Sequence, residues 1–279
     1  MIRAALHLRA NWQAFFDGLR FLRDQAQLIL NVAIRDLTRR NTGHVLGGLW
    51  IILHPLTLTL VYIFIFGMVF RQRMGGTADL PLSYTVYILS GLIPWFSLLG
   101  VLNASCGSIV GNSNLVKQFV FPLEVLPVKD AATSLVVWVV GMAALFLYSA
   151  LVEGRVHLTW MLLPVALAMQ VVLMAGLAFL LSAMTVFLRD LRDIVQVFGT
   201  INIFLMPVVY LPSAVPEAFR PLIYANPFSY VIWVYRDILY FGRIEHPWAW
   251  AIFALEAVLV FSLGYRVFRK LKPLFGNVL

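Results

Sequence analysis

The feature that most constrains this chain is the spacing of its apolar stretches, six of which are long enough to cross a lipid bilayer. A hydrocarbon core about 30 Å thick is crossed by about 20 apolar residues of α-helix. The predicted spans are 48–70, 84–110, 131–152, 159–187, 194–211 and 248–268. This layout predicts an all-α, polytopic membrane protein with six transmembrane helices.

The distribution of charge gives an orientation. The chain is 61% hydrophobic and only 12% charged, with a net charge of +8, whereas soluble domains are about 25% charged. If the N-terminus is cytoplasmic, fifteen of the 21 Lys and Arg residues fall on the cytoplasmic side. The positive-inside rule therefore predicts that both termini are cytoplasmic. We interpret the basic excess as an orientation signal and expect no nucleic-acid partner.

The N-terminal segment, residues 1–47, contains an amphipathic stretch at 11–40. At 100° per residue one sector collects apolar side chains. They are Phe15, Leu19, Leu22, Ala26, Ile29, Leu30, Ala33 and Leu37. We predict one helix lying along the cytoplasmic membrane interface. Either it anchors the chain to the surface or it is a moving element that packs on a partner.

Two cytoplasmic connections carry unusual sequence. Connection 111–130 is polar at its start and contains two prolines, which predicts a turn or helix cap followed by a short helix across the cytoplasmic side. Segment 187–194 packs two Arg–Asp pairs into a bend between spans. Such charges can simply end the two helices. Because their alternation is more than orientation requires, we favour a docking surface for a soluble partner.

The outer segment 212–247 is too apolar for a solvated loop, and four prolines divide it. We predict a re-entrant helical hairpin made of two pieces of about 10–15 residues, too short to span. The predicted domains are therefore the N-terminal segment, a membrane domain at 48–268 that contains this hairpin, and a cytoplasmic tail at 269–279.

The sequence contains no recognisable energy source or catalytic centre. It has no GxxxxGK[ST] nucleotide motif and no CxxC or HExxH metal motif. Cys106 is the single cysteine, and it suits a small buried apolar position. An ion-coupled carrier would need paired charges within the membrane, whereas Glu256 is alone and His54 has no evident carboxylate partner. A membrane-embedded glycolipid-processing enzyme would need clustered acids or a His base. We predict no catalytic, cofactor-binding or metal-binding residue.

Several segments together resemble a known family. They are IRDLTRR (34–40), LGGLWIILHP (46–55), ILSGLIPWFSL (88–98), NSNLVKQFVFPLEVLP (112–127), FLRDLRDI (187–194) and NPFSYVIWVYRDILYFG (226–242). In order and spacing they resemble the permease subunits of ABC-type polysaccharide exporters of the type-2 export class. The O-antigen and teichoic-acid exporters are nearest, and the capsule exporters are somewhat further away.

This resemblance implies a bacterial inner-membrane permease that acts as a homodimer with two copies of a separate P-loop ATPase. ATP and Mg would be bound by the ATPase. The cargo would be a lipid-linked polysaccharide, moved from cytoplasm to periplasm through a channel at the dimer interface. The permease would then be a transport subunit and not an enzyme, and membrane lipids would be further partners.

The resemblance also implies roles for particular residues. The gate-helix residues would be Arg35, Asp36, Arg39 and Arg40. The residues that couple to the ATPase would be Asn112, Asn114, Lys117, Glu124, Arg189, Asp190, Arg192 and Asp193. Aromatic rings suit sugars because ring faces stack on sugar C–H faces. The channel and exit aromatics would be Trp50, Tyr62, Phe66, Tyr224, Phe228, Tyr230, Trp233 and Tyr235.

Overall fold

The computed structural model describes residues 8–40, 43, 45–69, 83–117, 121–212 and 215–279, and all regular structure in them is helical. The principal helices are α1 (Leu8–Asp24), α2 (Ala26–Arg40), α3 (Trp50–Phe64), α4 (Tyr84–Ser108), α5 (Val125–Tyr148), α6 (Leu163–Thr185), α7 (Leu191–Leu205), α8 (Phe228–Arg236) and α9 (Pro247–Val278). Short helices at Ser113–Val116 and Arg220–Ala225 lie in two of the connections.

Five helical stretches among the described residues are long and apolar enough to cross a membrane. They are Gly47–Val69, Tyr84–Ser108, Val125–Glu153, Leu158–Thr185 and Pro247–Val278. This confirms the all-α, polytopic prediction. The predicted span 194–211 differs, because α7 has 15 residues and the chain is irregular after it. Fifteen residues rise about 22 Å, less than a hydrocarbon core of about 30 Å. The count of six spans stays a prediction.

Helix α4 is the centre of the molecule. Its apolar window is 83% buried, and α5, α6, α7 and α8 pack around it. The most extensive helix pair, α6 and α9, approaches at two glycines. A β-carbon on Gly264 would lie 2.2 Å from the carbonyl oxygen of Gly176. Helices in membranes associate mainly through close packing, which small residues permit. These two glycines therefore set the distance between α6 and α9.

The segment 11–40 is helical, as predicted, but the helix is interrupted at Gln25, which separates α1 from α2. The two parts pack on different partners, α1 on α9 and α2 on α5. The backbone bonds around the turn persist, since the N–H groups of Gln25 and Ile29 donate at 2.9 Å to Phe21 and Gln25. The predicted apolar sector is buried at Ile29 and Ala33, but Leu30 is 57% exposed. Tertiary contacts thus divide a continuous amphipathic pattern.

Connection 111–130 also agrees with its prediction only in part. The polar start contains a short helix at Ser113–Val116 with Asn112 at its N-cap position, which agrees with the helix cap predicted as one of two alternatives. Residues 125–130, expected in a separate short helix, form the first turns of α5. Pro127 fits there because an N–H in the first turn has no helical acceptor.

The outer segment is helical, as predicted, but its two pieces are unequal. Arg220–Ala225 has only six residues, and Asn226 and Pro227 separate it from α8. Helix α8 continues through a π-helical turn at Asp237–Phe241, and most of this second piece is buried. Depth within a bilayer stays a prediction. The predicted boundary at residue 268 is not marked by a break, because α9 continues to Val278.

Candidate functional site

The charged bend, defined here as residues 187–193, projects from the end of α6. Arg189, Asp190, Arg192 and Asp193 are all exposed. Backbone N–H groups close the bend, among them that of Asp193, which donates to the Asp190 carbonyl at 3.1 Å. None of these four side chains forms an ion pair with a described residue. Their charges are therefore available to an external partner.

The connection before α5 divides the other predicted coupling residues into two kinds. Asn114 and Lys117 are exposed. Asn112 is half-buried, and its amide donates at 2.8 Å to the Ser108 carbonyl, which caps the end of α4. Glu124 is only 7% exposed, and both its carboxylate oxygens accept from Lys272. Glu124 is thus engaged within the chain.

Helix α2 is attached to the membrane domain by a buried charge cluster. Lys129 of α5 contacts Asp36 of α2 at 3.2 Å and Asp130 at 2.7 Å. Side chains can remain charged in a buried, low-dielectric environment when they are paired and hydrogen-bonded. Of the other predicted gate-helix residues, Arg35 and Arg39 are exposed, and the side chain of Arg40 lies outside the described part of the structure.

A groove of about 470 Å³ runs between α2 and the start of the 111–117 connection. Arg35 and Arg39 line one wall, and Asn112 and Asn114 line the other. The groove brings together residues predicted separately as gate-helix and coupling residues.

The predicted channel aromatics of α3 form part of a longer aromatic row. Tyr62 and Phe66 are half-buried with parallel rings 6.2 Å apart. Phe66 meets Tyr84 at 6.1 Å, and Tyr84 stacks on Tyr87 at 5.9 Å. The row therefore extends from α3 onto α4. Trp50, 38% exposed, instead lines an apolar groove of about 520 Å³ between α3, α4 and α5.

The aromatics predicted in the outer hairpin separate into buried and surface groups. Phe228, Trp233 and Tyr235 are at most 9% exposed and pack within the chain. Tyr224 is 45% exposed, and Tyr230 is half-buried. The Tyr230 hydroxyl donates to the Tyr224 carbonyl at 2.5 Å. Only the last two can meet a ligand without rearrangement of the hairpin.

One surface aromatic was missed. Trp248, at the start of α9, is 39% exposed and meets the Trp233 ring at 4.8 Å. It joins Tyr224 and Tyr230 in an outer aromatic patch, the name used below for these three residues. A tryptophan just before a predicted span is also typical of a membrane interface. Its position in the sequence therefore gave no indication that it packs on the hairpin.

Buried polar contacts fix the hairpin in place. The guanidinium of Arg236 lies 3.6 Å from the centroid of the Tyr87 ring and donates to the Val208 carbonyl at 2.9 Å. Asp237 accepts at 3.0 Å from the Trp250 indole and from the backbone N–H of His246. Nδ1 of His246 also lies 2.8 Å from the Asp237 carboxylate. Adjacent residues of α8 thus attach it to α4 and to α9.

A second polar network lies deeper. The Tyr235 hydroxyl donates to the Gln170 side chain at 2.5 Å and accepts from the Trp138 indole at 2.9 Å. The Gln170 amide donates to the Pro94 carbonyl at 3.1 Å. The sequence analysis considered ionisable residues and missed Gln170, which is fully buried. An amide in the middle of an apolar span was the signal that could have found this contact.

Among the described residues, no three His, Cys, Asp or Glu side chains lie close enough to hold a metal. The described residues offer exposed charged and amide groups at the bend and in the 111–117 connection, and an aromatic patch at the hairpin.

Residues 27–240 match the family described as ABC-2 type transporter. The chain is 30% identical over 243 residues to the O-antigen export system permease protein RfbA of Myxococcus xanthus, covering 85% of this chain and 88% of that protein. It is 28% identical over 257 residues to RfbA of Klebsiella pneumoniae, covering 90% and 95%. It is 21% identical over 244 residues to the polysialic acid transport protein KpsM of Escherichia coli, covering 85% and 90%. On the length of these matches and its helical membrane architecture, the chain belongs to the ABC-2 type transporter family.

Proposed function

We propose that this protein is the permease subunit of an ATP-driven exporter that moves a lipid-linked polysaccharide from the cytoplasm to the periplasm. The observation that carries the proposal is near full-length similarity to permeases named for O-antigen export and polysialic acid transport. In this role the protein lies in the bacterial inner membrane with both termini in the cytoplasm.

Energy in this proposal comes from a separate P-loop ATPase that binds ATP and Mg. The sequence has no nucleotide motif, so the partner must supply one. The charged bend supports docking, because its four ionic side chains are exposed and lack ion pairs within the described residues. Complementary charges across an interface favour encounter and fix register. The two states of the permease would differ in their contacts with the ATPase.

The passage in this proposal lies between two copies of the chain. Helix α3 supports this, because the apolar window of Gly47–Val69 is only 11% buried. Lipid covers such a face in a monomer, and a second copy covers part of it in a homodimer. Tyr62 and Phe66 would then line the passage, with Trp50 near its cytoplasmic end. Weak contacts with successive rings would let a polymer slide without a deep energy minimum.

The exit is assigned to the outer aromatic patch. Tyr224 and Trp248 are more than a third exposed, and the hydroxyl of Tyr230 fixes the hairpin backbone beside them. Phe228, Trp233 and Tyr235 keep a supporting role in this proposal, since they hold the patch from below.

Co-purification tests the energy source. The permease is purified alone and with the P-loop ATPase encoded beside it or captured with it. We expect ATP hydrolysis only in the complex, with both subunits present in equal amounts. Hydrolysis by the rigorously pure permease would contradict the proposal, as would the lack of any P-loop protein in gently solubilised complexes.

A further inference from the structure

The last helix extends well beyond the apolar part of its span. Helix α9 has 32 residues and so rises about 48 Å, whereas about 30 Å suffices for the hydrocarbon core. Its end, residues 266–279, carries four basic side chains and is called the C-terminal brace here. It is helical to Val278, and Leu279 packs against a buried apolar cluster. This segment is therefore docked on the protein and is not a free tail.

The brace makes an ionic contact with the start of α5. Nζ of Lys272 lies 2.8 and 2.7 Å from the two carboxylate oxygens of Glu124. The side chain of Glu124 is 9% exposed, and that of Lys272 is 35% exposed. Glu124 directly precedes α5 and follows the connection that contains Asn114 and Lys117. The contact thus ties the brace to the first cytoplasmic connection.

The brace also makes an apolar contact with the charged bend. Phe275 is fully buried, and its ring lies 6.3 Å from the ring of Phe187. Phe268, about two turns earlier on the same face of the helix, packs on Phe275 at 5.4 Å. Phe187 is only two residues before Arg189, the first charge of the bend. One helical segment therefore contacts the charged bend, which we propose to dock the ATPase, and the end of the first connection, to which the family resemblance assigns the other coupling residues.

We infer that the C-terminal brace holds the two docking elements at a fixed separation, with Lys272 and Glu124 as positioning residues for coupling. The inference rests on the proposed function. A force applied by the ATPase at one element reaches the other only if their spacing is maintained. Without the brace, the ATPase can still bind, but its movement is lost in relative motion of the two elements.

Burial makes the two members of the ion pair unequal. Removal of Lys272 leaves an almost fully buried carboxylate with no other cation of the described residues at contact distance, which is costly. Removal of the charge on Glu124 leaves a lysine that is one third exposed and can extend its head group to water. Lys272→Gln is therefore expected to have a larger effect than Glu124→Gln, and Lys272→Arg to have little effect.

The first measurement is the distance between spin labels at residues 114 and 190, in a Cys106→Ser background, in the permease purified without any partner. The native brace predicts one narrow distance distribution. Lys272→Gln should broaden or shift it, Glu124→Gln should do so less, and Lys272→Arg should keep it narrow. Lys270→Gln is the matched control, because Lys270 is exposed in the same segment and forms no ion pair with a described residue. An unchanged distribution in Lys272→Gln would overturn the inference.

The second measurement is glycan exported per ATP hydrolysed by the complex. We expect Lys272→Gln to lower this ratio about fivefold while ATPase binding stays within twofold of native, and Lys272→Arg to restore it. If Lys272→Gln does not fold, Glu124→Gln gives the same comparison with a smaller change. A normal ratio beside a broadened distance would refute the coupling role. If the native complex exports no glycan, the proposed function fails, while the distance measurement still tests the brace.

Discussion

The charged bend and the outer hairpin contain the same Arg–Asp dipeptide in opposite environments. In the bend, Arg189 and Asp190 are exposed and lack ion pairs within the described residues. In the hairpin, Arg236 and Asp237 are 1% exposed, and each bonds to a different helix or turn. A charged pair that bonds within the chain stabilises the architecture, whereas the exposed pair fits the docking role that we propose for the bend. Residue type alone does not decide between the two.

The largest expected effect is at the buried centre of the hairpin. Trp233→Ala removes a ring that is 2% exposed and packs on Tyr224, Tyr230 and Trp248. The cavity should cost about 4 kcal/mol of unfolding free energy. Thermal unfolding of the solubilised protein measures it, and Tyr224→Ala, at an exposed ring, should cost less than about 1 kcal/mol. Equal losses in both variants would mean that the hairpin is not packed as described.

The next effect compares the two aspartates directly. Asp237→Ala leaves the Trp250 indole and two donors of His246 without their acceptor. Orphaned donors should lower the unfolding free energy by about 3 kcal/mol in total. Asp190→Ala, in the exposed bend, should change it by less than about 0.5 kcal/mol. A melting temperature that falls equally in both variants would remove the distinction between docking and architectural pairs.

A smaller effect is expected for the charges of the bend. Arg189→Glu with Arg192→Glu should leave the melting temperature unchanged, because neither side chain is buried. It should weaken association with the ATPase about tenfold, or about 1.4 kcal/mol. A titrated pull-down of the solubilised complex measures the affinity. If affinity and export both stay native, the four charges only end the helices, and docking lies elsewhere.

Labelling of introduced cysteines tests which residues of the hairpin are buried, independently of any measurement of stability. Single cysteines are placed along 228–235 in a Cys106→Ser background and treated with a membrane-impermeant thiol reagent. Because every residue in this stretch except Tyr230 is buried, we expect labelling at position 230 and protection at its neighbours. A cysteine at 224 should label fast. Uniform labelling of the whole stretch would contradict both the re-entrant hairpin and the buried Arg236–Asp237 pair.

The sequence predicted those helices whose residues form a long, continuous apolar stretch. The stretches near α4 and α6 and the position of the charged bend follow from hydropathy and from where charges interrupt it. The division of the hairpin into buried Trp233 and exposed Tyr224 could not be predicted, because aromatic enrichment looks the same in a core, at a membrane interface and along a passage. Hydropathy also gave no reason to break 11–40 at Gln25, since that break reflects two different packing partners.

The candidate site was least predictable where partners are distant in sequence. Glu124, a charged residue in a connection, was predicted as a docking residue. In the structure it pairs with Lys272, which is 148 residues away in the sequence. Asp36 was predicted as a gate-helix residue, but its contact with Lys129 could not be read from either segment. Such pairs depend on how helices are placed, which single-sequence patterns leave open. Lys129 and Asp130, adjacent charges at the start of an apolar span, were a signal that could have found the buried cluster.

Transport in proteoliposomes tests the central claim most directly. The permease is reconstituted with and without its ATPase, with a lipid-linked glycan in the bilayer, and glycan exposed on the opposite side is measured after addition of ATP. We predict transport only when the permease, the ATPase and hydrolysable ATP are all present, with a marked loss in the Arg189→Glu, Arg192→Glu double variant. Glycan movement by the permease alone, driven by an ion gradient and unaffected by ATP, would contradict the account.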